Sequence, residues 1–144
     1  MRPLDINYIA GFFDSEGCIV IEEYKKKAGR LQPRIRVSNC HKAVPYLLKK
    51  YYGGCVCILK RKRKNPNWSD CYAWNIVGRM VLRFLKDVYP YVIVKKKQVD
   101  LGIKFYEDFV NLRRASDIII EREVNRRKFI KERIAILNKT HGGD

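Results

Sequence analysis

No run of apolar residues in this chain approaches the ~18 that a membrane span needs, and no basic-then-apolar leader follows Met1. The expectation is a soluble, intracellular protein with no membrane partner. None of the five cysteines, at 18, 40, 55, 57 and 71, forms a CxxC pair. Their odd number, in strand-like sequence, argues against a disulfide framework or zinc and for buried, reduced thiols. No low-complexity stretch divides the 144 residues. One domain, 1–138, is long enough to bury its own core, with 139–144 as a frayed tail.

Acid is the other scarcity. Fifteen Asp+Glu stand against 31 Lys+Arg, a formal net charge of +16. Such a field repels its own kind and attracts polyanions, and nine Tyr, six Phe and two Trp argue against a disordered basic tail. A folded nucleic-acid binder suits this composition better than a ribosomal or membrane-surface protein.

The pattern of the chain supplies elements. Ile6, Ile9, Ala10 and Phe13 fall at helical spacing, with Asp5 or Asn7 to cap the start and Gly17 to end the helix in a left-handed conformation. Residues 18–24 and 34–37 read as a hairpin around a basic turn, and 43–52 as a helix closed by Gly53-Gly54. A second hairpin follows, 55–59 and 71–77, with Tyr72 and Trp74 on the core side. Helices are predicted at 79–88, from Lys95 onward, and from Ser116 or Asp117 to about Leu137. Two stripes in the middle one, Val99/Ile103/Tyr106/Val110 and Leu101/Phe105/Phe109/Leu112, predict burial on more than one side. The last carries Ile130, Ile134 and Leu137, with Glu123 and Arg127 spaced to pair. The fold class is α+β: an αββαββα core with one antiparallel four-stranded sheet backed by helices, a strongly basic opposite face, and C-terminal helices.

Residues 8–17, YIAGFFDSEG, break a local rule. Carboxylates at a helix C-terminus oppose its dipole by roughly 0.3–1 kcal/mol each, yet Asp14 and Glu16 stand there, and residues 3–23 contain no Lys or Arg. Either the two acids are simply solvated, or something other than a neighbour in sequence offsets them. Mg2+ is the economical candidate, because it takes oxygen ligands, usually only one or two carboxylates, and fills its shell with water and phosphate. Beside a basic face, that points to phosphodiester chemistry. The helix is also too apolar and too short to stand alone. With Ala10 and Gly11 permitting close approach, and one copy of the motif per chain, Ile9, Ala10, Gly11, Phe12 and Phe13 are expected to pack on a second subunit as a homodimer.

Residues 9–17, IAGFFDSEG, resemble the nonapeptide that names the LAGLIDADG homing endonucleases. Ala10, Gly11, Asp14 and Gly17 match it letter for letter, and Glu16 stands where the family has Asp or Glu. The helix and hairpin order read above is also similar to the family core, so the resemblance covers nearly the whole chain. It implies a single-motif, homodimeric enzyme that makes a staggered, Mg2+-dependent double-strand break with 3′ overhangs in a long pseudo-palindromic DNA target, in the service of intron or mobile-element homing. It further implies that Glu16 and the Ser15 carbonyl bind metal, that Asp14 is structural, that Lys95 is the active-site lysine, and that Asn39 positions water. A further arginine of some members is unmatched near Ala43, which leaves His41 or Lys42 as substitutes. Without the resemblance, Lys95 reads as a solvated or phosphate-contacting lysine and Asn39 as a strand-end hydrogen bonder.

The remaining basic residues suit nucleic acid directly. A two-stranded ribbon fits the major groove, and alternate residues reach successive base edges. Arg34 and Arg36 share one face, as do Lys60 and Lys62, or Arg61 and Arg63. Lys25, Lys27, Arg30 and the Lys64 turn are better placed for phosphates. Two alternatives use the same fold without cutting DNA: an intron maturase whose partner is intron RNA, and a catalytically inactive DNA-binding regulator.

Overall fold

The structure is a computed structural model that describes residues 5–23, 30–60, 69–109 and 111–141. Its elements run α1 (Ile6–Glu16), β1 (Gly17–Glu23), β2 (Leu31–Asn39), α2 (Ala43–Tyr52), β3 (Cys55–Leu59), β4 (Cys71–Val77), α3 (Arg79–Val88), α4 (Lys96–Glu107), a 3-10 turn (Leu112–Arg114) and α5 (Asp117–His141). The four strands form one antiparallel sheet in the order β1-β2-β4-β3, so the two hairpins meet along β2 and β4. This is the predicted α+β core.

Alternation sets the faces. Ile19 and Ile21 of β1, Ile35 and Val37 of β2, and Trp74 and Ile76 of β4 point inward and are buried. The register places Ile35 opposite Ile76 and Val37 opposite Trp74, stacking apolar rows across the sheet centre. Helices cover that side. Phe84 of α3 meets Phe13, Tyr52 and Trp74 with ring centroids 5.2, 5.1 and 5.4 Å apart in edge-on geometry. The Trp74 indole N–H donates to the Gly53 carbonyl at 2.8 Å, so its polar atom is satisfied inside the core. At this same corner Gly53 and Gly54 adopt φ of 72° and 81°, and a Cβ on Gly54 would lie 2.3 Å from the Asn75 carbonyl oxygen.

Four expectations change. Gly17 is extended, at φ −84° and ψ 156°, because β1 begins there without a turn; glycine is needed for room, since a Cβ would sit 2.1 Å from the Phe13 ring. The second stripe of α4 stops early: the helix ends at Glu107, leaving Phe109 exposed and Leu112 in the 3-10 turn. Val110 lies outside the described residues. None of the five thiols is buried, because Cys55, Cys57 and Cys71 sit on the outer sheet face, Cys40 lies beyond the end of β2, and Cys18 is half-covered. Residues 139–141 continue α5 where fraying was expected. The Asn138 side chain anchors that end by donating to the Ile19 carbonyl at 2.8 Å, which also occupies a polar group of strand β1 at the sheet edge.

α5 docks on α4 and β1 through Ile130 and Ile134, and through a charged cluster. Glu123, 4% exposed, accepts from Arg126 Nη2 at 2.7 Å and from Arg127 Nε at 2.8 Å. Arg126 also donates to the carbonyls of Lys104 and Phe105 in the last turns of α4. Burial alone would raise the Glu123 carboxyl, but the hydrogen bonds and charges of the two arginines outweigh it and hold the group below its usual value.

Glu123→Ala removes the one carboxylate that both guanidinium groups share. It is expected to cost roughly 3 kcal/mol, a fall in Tm of about 10 °C for a chain of this size, measurable by thermal circular dichroism. A carboxyl with a lowered folded-state pKa contributes its full stability above the ordinary glutamate value of about 4.3 and loses it as pH falls through the folded value. The gap between wild type and variant should therefore hold at neutral pH and close only in acid.

Candidate active site

The site is built on the C-terminal end of α1. The helix starts where the Asp5 carboxylate accepts the N–H groups of Asn7 and Tyr8 at 3.1 and 3.3 Å. Its faces then separate cleanly. Ile9, Ala10 and Phe13 are buried in the protomer's own core, against the expectation that they pack on a second subunit. Their contacts with the sheet and α3 consume them. Gly11 and Phe12 do turn outward, joined by Tyr8 and Ser15 at spacings of three and four. A Cβ on Gly11 would meet nothing within 4 Å.

The two acids at the end of this helix have opposite environments. Asp14 Oδ2 accepts the backbone N–H of Ile93 at 2.6 Å and of Val94 at 3.2 Å, and Oδ1 accepts that of Lys95 at 3.0 Å. The ammonium of Lys95 returns to the same residue, donating from Nζ to the Asp14 carbonyl. A cation thus sits at the negative end of α1, where the dipole favours it. The charge of Asp14 is offset by residues about eighty positions away, and needs no metal. Glu16 is different. It is exposed, and no hydrogen bond or ion pair holds its carboxylate among the described residues.

Other expected site residues gather near this end. Ser15, exposed, ties its hydroxyl to the Phe12 carbonyl at 3.0 Å, and its own carbonyl belongs to the last turn, which runs out of helical donors. Asn39 lies two residues beyond Val37, the partner of Gly17, so it ends its strand where α1 enters the sheet. Its Oδ1 accepts the His41 N–H at 2.7 Å, a turn-forming role of the strand-end kind. His41 accepts the Ala43 N–H on Nδ1, and Lys42 is exposed at the start of α2. Cys18, the first outward residue after Glu16, has its thiol pKa raised by burial, opposed by the charges of Lys95 and Arg36. Lys95 and Arg36 therefore flank one spot on the rim of the outer sheet face. Lys96 is occupied elsewhere, over the Tyr89 ring at 3.8 Å and bonded to the Tyr89 carbonyl.

The described part of the outer face carries few cations. Across its middle run Cys18, Arg36, Asn75 and Cys55 in register, and beside them Val20, Arg34 and Val77. Among the described strand residues only Arg34 and Arg36 bring cations to this face; Arg30 and Lys60 are exposed just outside the strands. Arg34 is engaged by Glu22 at 3.2 Å, with its Nε buried and without an acceptor. Arg36 is exposed and has no acidic partner among the described residues. A groove of about 570 Å3 lies over this region, lined by both arginines, Cys55, Cys57, Asn75 and Met80. Lys25, Lys27, Arg61, Lys62, Arg63 and Lys64 fall outside the described residues. Among those described, no three His, Cys, Asp or Glu side chains converge as a metal cluster, and no helix is long and apolar enough to cross a membrane.

Two features escaped the sequence. The backbone cradle of residues 93–95 carries no side-chain signature at all. Tyr8 could have been found, since it stands four residues before Phe12 on the face opposite Ile9 and Phe13; the two rings are 6.1 Å apart.

Asp14→Ala removes the only acceptor of three N–H groups. Because those groups are partly solvated, the expected loss is about 2 kcal/mol. Glu16→Gln, at an exposed and unpaired site, should fall within about 0.5 kcal/mol of wild type. Urea denaturation of the two variants measures the contrast.

The comparisons with known proteins agree with this geometry. No curated protein sequence matches the chain significantly. Among solved structures, the homing endonuclease I-CvuI, bound to the I-CreI target, superposes with a TM-score of 0.65 at 19% identity, over 92% of this chain and 80% of that one. The archaeal intron-encoded homing endonuclease I-Vdi141I, complexed with DNA, gives 0.59 at 21% identity, over 96% and 97%. I-GzeII, a LAGLIDADG homing endonuclease in complex with its DNA target, gives 0.67 at 17% over 90% of this chain, which spans only 44% of the longer protein. At such identities these neighbours establish a shared fold. The family model described as LAGLIDADG endonuclease matches residues 9–112, a span that takes in the acidic helix end, the whole sheet and Lys95, and the chain therefore belongs to the LAGLIDADG endonuclease family.

Proposed function

We propose that this chain is a site-specific DNA endonuclease that acts as a homodimer, with Mg2+ at its active sites, making a staggered double-strand break in a long pseudo-palindromic target during the homing of an intron or other mobile element. The observation that carries the reading is the unpaired Glu16 carboxylate, exposed at a helix end where the neighbouring acid is fully engaged. Family membership and neighbours solved on DNA support it; one was studied with its DNA uncleaved in 2 mM Mg and another with 2 mM Ca.

The donor set fits magnesium. Glu16 and the Ser15 carbonyl offer two oxygens from one protomer, and among the described residues there is none of the Cys or His clustering that softer metals prefer. That small number is what an ion keeping several waters and a phosphate oxygen requires. When bound, such an ion supplies charge neutralisation at the scissile phosphate and activation of water. Lys95, held against α1 by the Asp14 carbonyl, places a fixed positive charge where negative charge develops on the phosphate. Asn39 keeps its amide N–H group at the strand end to orient solvent, its oxygen being committed to His41.

Each chain carries one motif, so two strand cuts need two chains. Tyr8, Gly11, Phe12 and Ser15 form the outward strip of α1, and close packing of two such strips brings the two Glu16 ends together. Arg36 serves as a base-reading cation, having no carboxylate partner among the described residues, whereas Arg34 is held by Glu22.

The direct test uses a target selected from a randomised DNA library. Wild type should cut it with Mg2+ and stop when chelator is added, and Glu16→Gln should bind with similar affinity while losing at least ~100-fold in cutting rate. Binding without metal-dependent cutting by wild type refutes the enzyme and favours an inactive regulator or an RNA-binding maturase.

Gly11→Leu tests the dimer. Within one protomer the added side chain meets open space. The variant is expected to keep its secondary structure and Tm near wild type, to sediment as a monomer, and to lose cutting.

A further inference from the structure

The proposed nuclease leaves one pair of side chains unused. Cys40 directly follows β2, and Cys71 opens β4. Asn39 stands opposite Tyr72 in the β2–β4 register, so the next step sets Cys40 against Cys71. Their Sγ atoms are 2.8 Å apart, closer than non-bonded contact and approaching the ~2.05 Å of a disulfide bond. Cys40 is exposed and Cys71 partly so, which admits a small oxidant.

The other thiols lack this geometry. Cys18 faces Arg36 and Lys95. Cys55 and Cys57 share one face of β3 and are near enough for a side-chain hydrogen bond, but residues two apart in a strand lie roughly 6.6 Å apart, at the upper edge of the about 4.4–6.8 Å between Cα atoms that a disulfide spans. Directly facing residues of an antiparallel pair come much nearer, with Cβ atoms about 4.5–5.5 Å apart. Facing strands thus suit a disulfide better than neighbours along one strand.

We propose that Cys40 and Cys71 are an oxidisable dithiol that a hydroperoxide converts into a reversible cross-strand disulfide, latching the end of β2 to the start of β4. The thiolate of Cys40, the more exposed, attacks the outer peroxide oxygen. The O–O bond breaks, the departing oxygen takes the thiol proton, and Cys40 becomes a sulfenic acid. Cys71 thiolate then attacks that sulfur; the S–S bond forms, the S–O bond breaks, and the hydroxide leaves as water with the proton from Cys71. Two thiols are oxidised by two electrons and one peroxide is reduced. An added dithiol reverses the reaction by exchange.

The new bond closes a loop containing α2, β3 and the basic connection to β4, and it falls beside Asn39, whose contact with the His41 N–H spans Cys40. Constraining a loop of about thirty residues in the unfolded chain stabilises the folded one. The inference is independent of the nuclease reading, since it concerns thiol chemistry and stability alone.

The test treats the full chain with a slight excess of hydrogen peroxide, followed by thiol titration, peptide mapping under non-reducing conditions, and thermal unfolding. Wild type is expected to lose two of its five thiols, to yield one linked peptide joining Cys40 to Cys71, and to gain roughly 5–10 °C in Tm, all reversed by dithiothreitol. The Cys55→Ser/Cys57→Ser double variant should behave the same way, whereas Cys40→Ser and Cys71→Ser should lose both the linked peptide and the Tm gain. Retention of all five thiols, sulfinic acid without an S–S bond, or a link mapped to any other pair overturns the proposal. The wild-type peptide map decides the matter even if a serine variant does not fold.

Discussion

The carboxylate of Asp14 takes the N–H groups of three consecutive residues, Ile93, Val94 and Lys95, across some eighty positions of chain. A carboxylate at a helix C-terminus is opposed by the dipole, by roughly 0.3–1 kcal/mol. Hydrogen bonds to a charged acceptor are worth about 1.5–3 kcal/mol each, and there are three, so the cradle wins. The same contact sets the entrance to α4, because Lys95 is that helix's N-cap residue and lacks a side-chain cap of its own. Fixing its N–H fixes where its side chain starts. The ammonium is then drawn to the exposed carbonyl end of α1, at Asp14 itself. Two helices distant in sequence become one corner.

That corner explains how two acids two residues apart come to do different work. A step of two along a helix turns a side chain through about 200°, so a cradle that meets Asp14 cannot meet Glu16. One carboxylate is spent on architecture and the other remains exposed. The sheet sharpens the arrangement. Gly17 lets β1 leave α1 without a loop, because hydrogen at its Cα is all that the Phe13 ring tolerates. Glu16 is therefore fixed at the rim of the outer face, one residue from the first strand and two from Cys18, which senses both Lys95 and Arg36.

Much of the fold was legible because it follows from periodicity and turn chemistry. The spans 43–52, 55–59, 71–77 and 79–88 coincide with α2, β3, β4 and α3, each bounded by Gly or Pro or by a clear change of period. Where the reading failed, a tertiary contact had decided. Gly17 looked like a helix terminator, but the terminator is the immediate start of a strand. The apolar residues of α1 looked like a subunit interface, yet the core took Ile9, Ala10 and Phe13, left Tyr8 and Gly11 exposed and covered Phe12 in part, a division that composition alone cannot make. The site was partly legible. The motif and its charge single out Asp14 and Glu16, and the family resemblance singles out Lys95, whereas the contact between Asp14 and Lys95 was invisible, since backbone N–H groups are the same at every position. The cysteines were misjudged for a related reason. In a strand, which face is buried depends on what covers it, and the helices cover the side opposite Cys55, Cys57 and Cys71.

The distribution of charge bears on how a polyanion would be held. Of a formal +16, the described outer face retains only Arg34 and Arg36, set among thiols, Asn75 and small apolar residues. The strand connections carry Lys25, Lys26 and Lys27 in one case and Arg61, Lys62, Arg63 and Lys64 in the other. Contacts to phosphate need charge and no particular geometry, whereas contacts to base edges need few, well-placed groups. A sheet crowded with lysine would bind every sequence alike. One arginine held by Glu22, with its Nε still lacking an acceptor, and a second left without an acidic partner supply directional donors against a neutral background. On the proposed reading, Val20, Val77 and the cysteines offer apolar contact to thymine methyls, and Arg36 a forked donor to guanine. On the proposed reading, affinity would reside mainly in the connections and discrimination in the strands, because charge alone suffices for phosphate whereas base edges require placed donors.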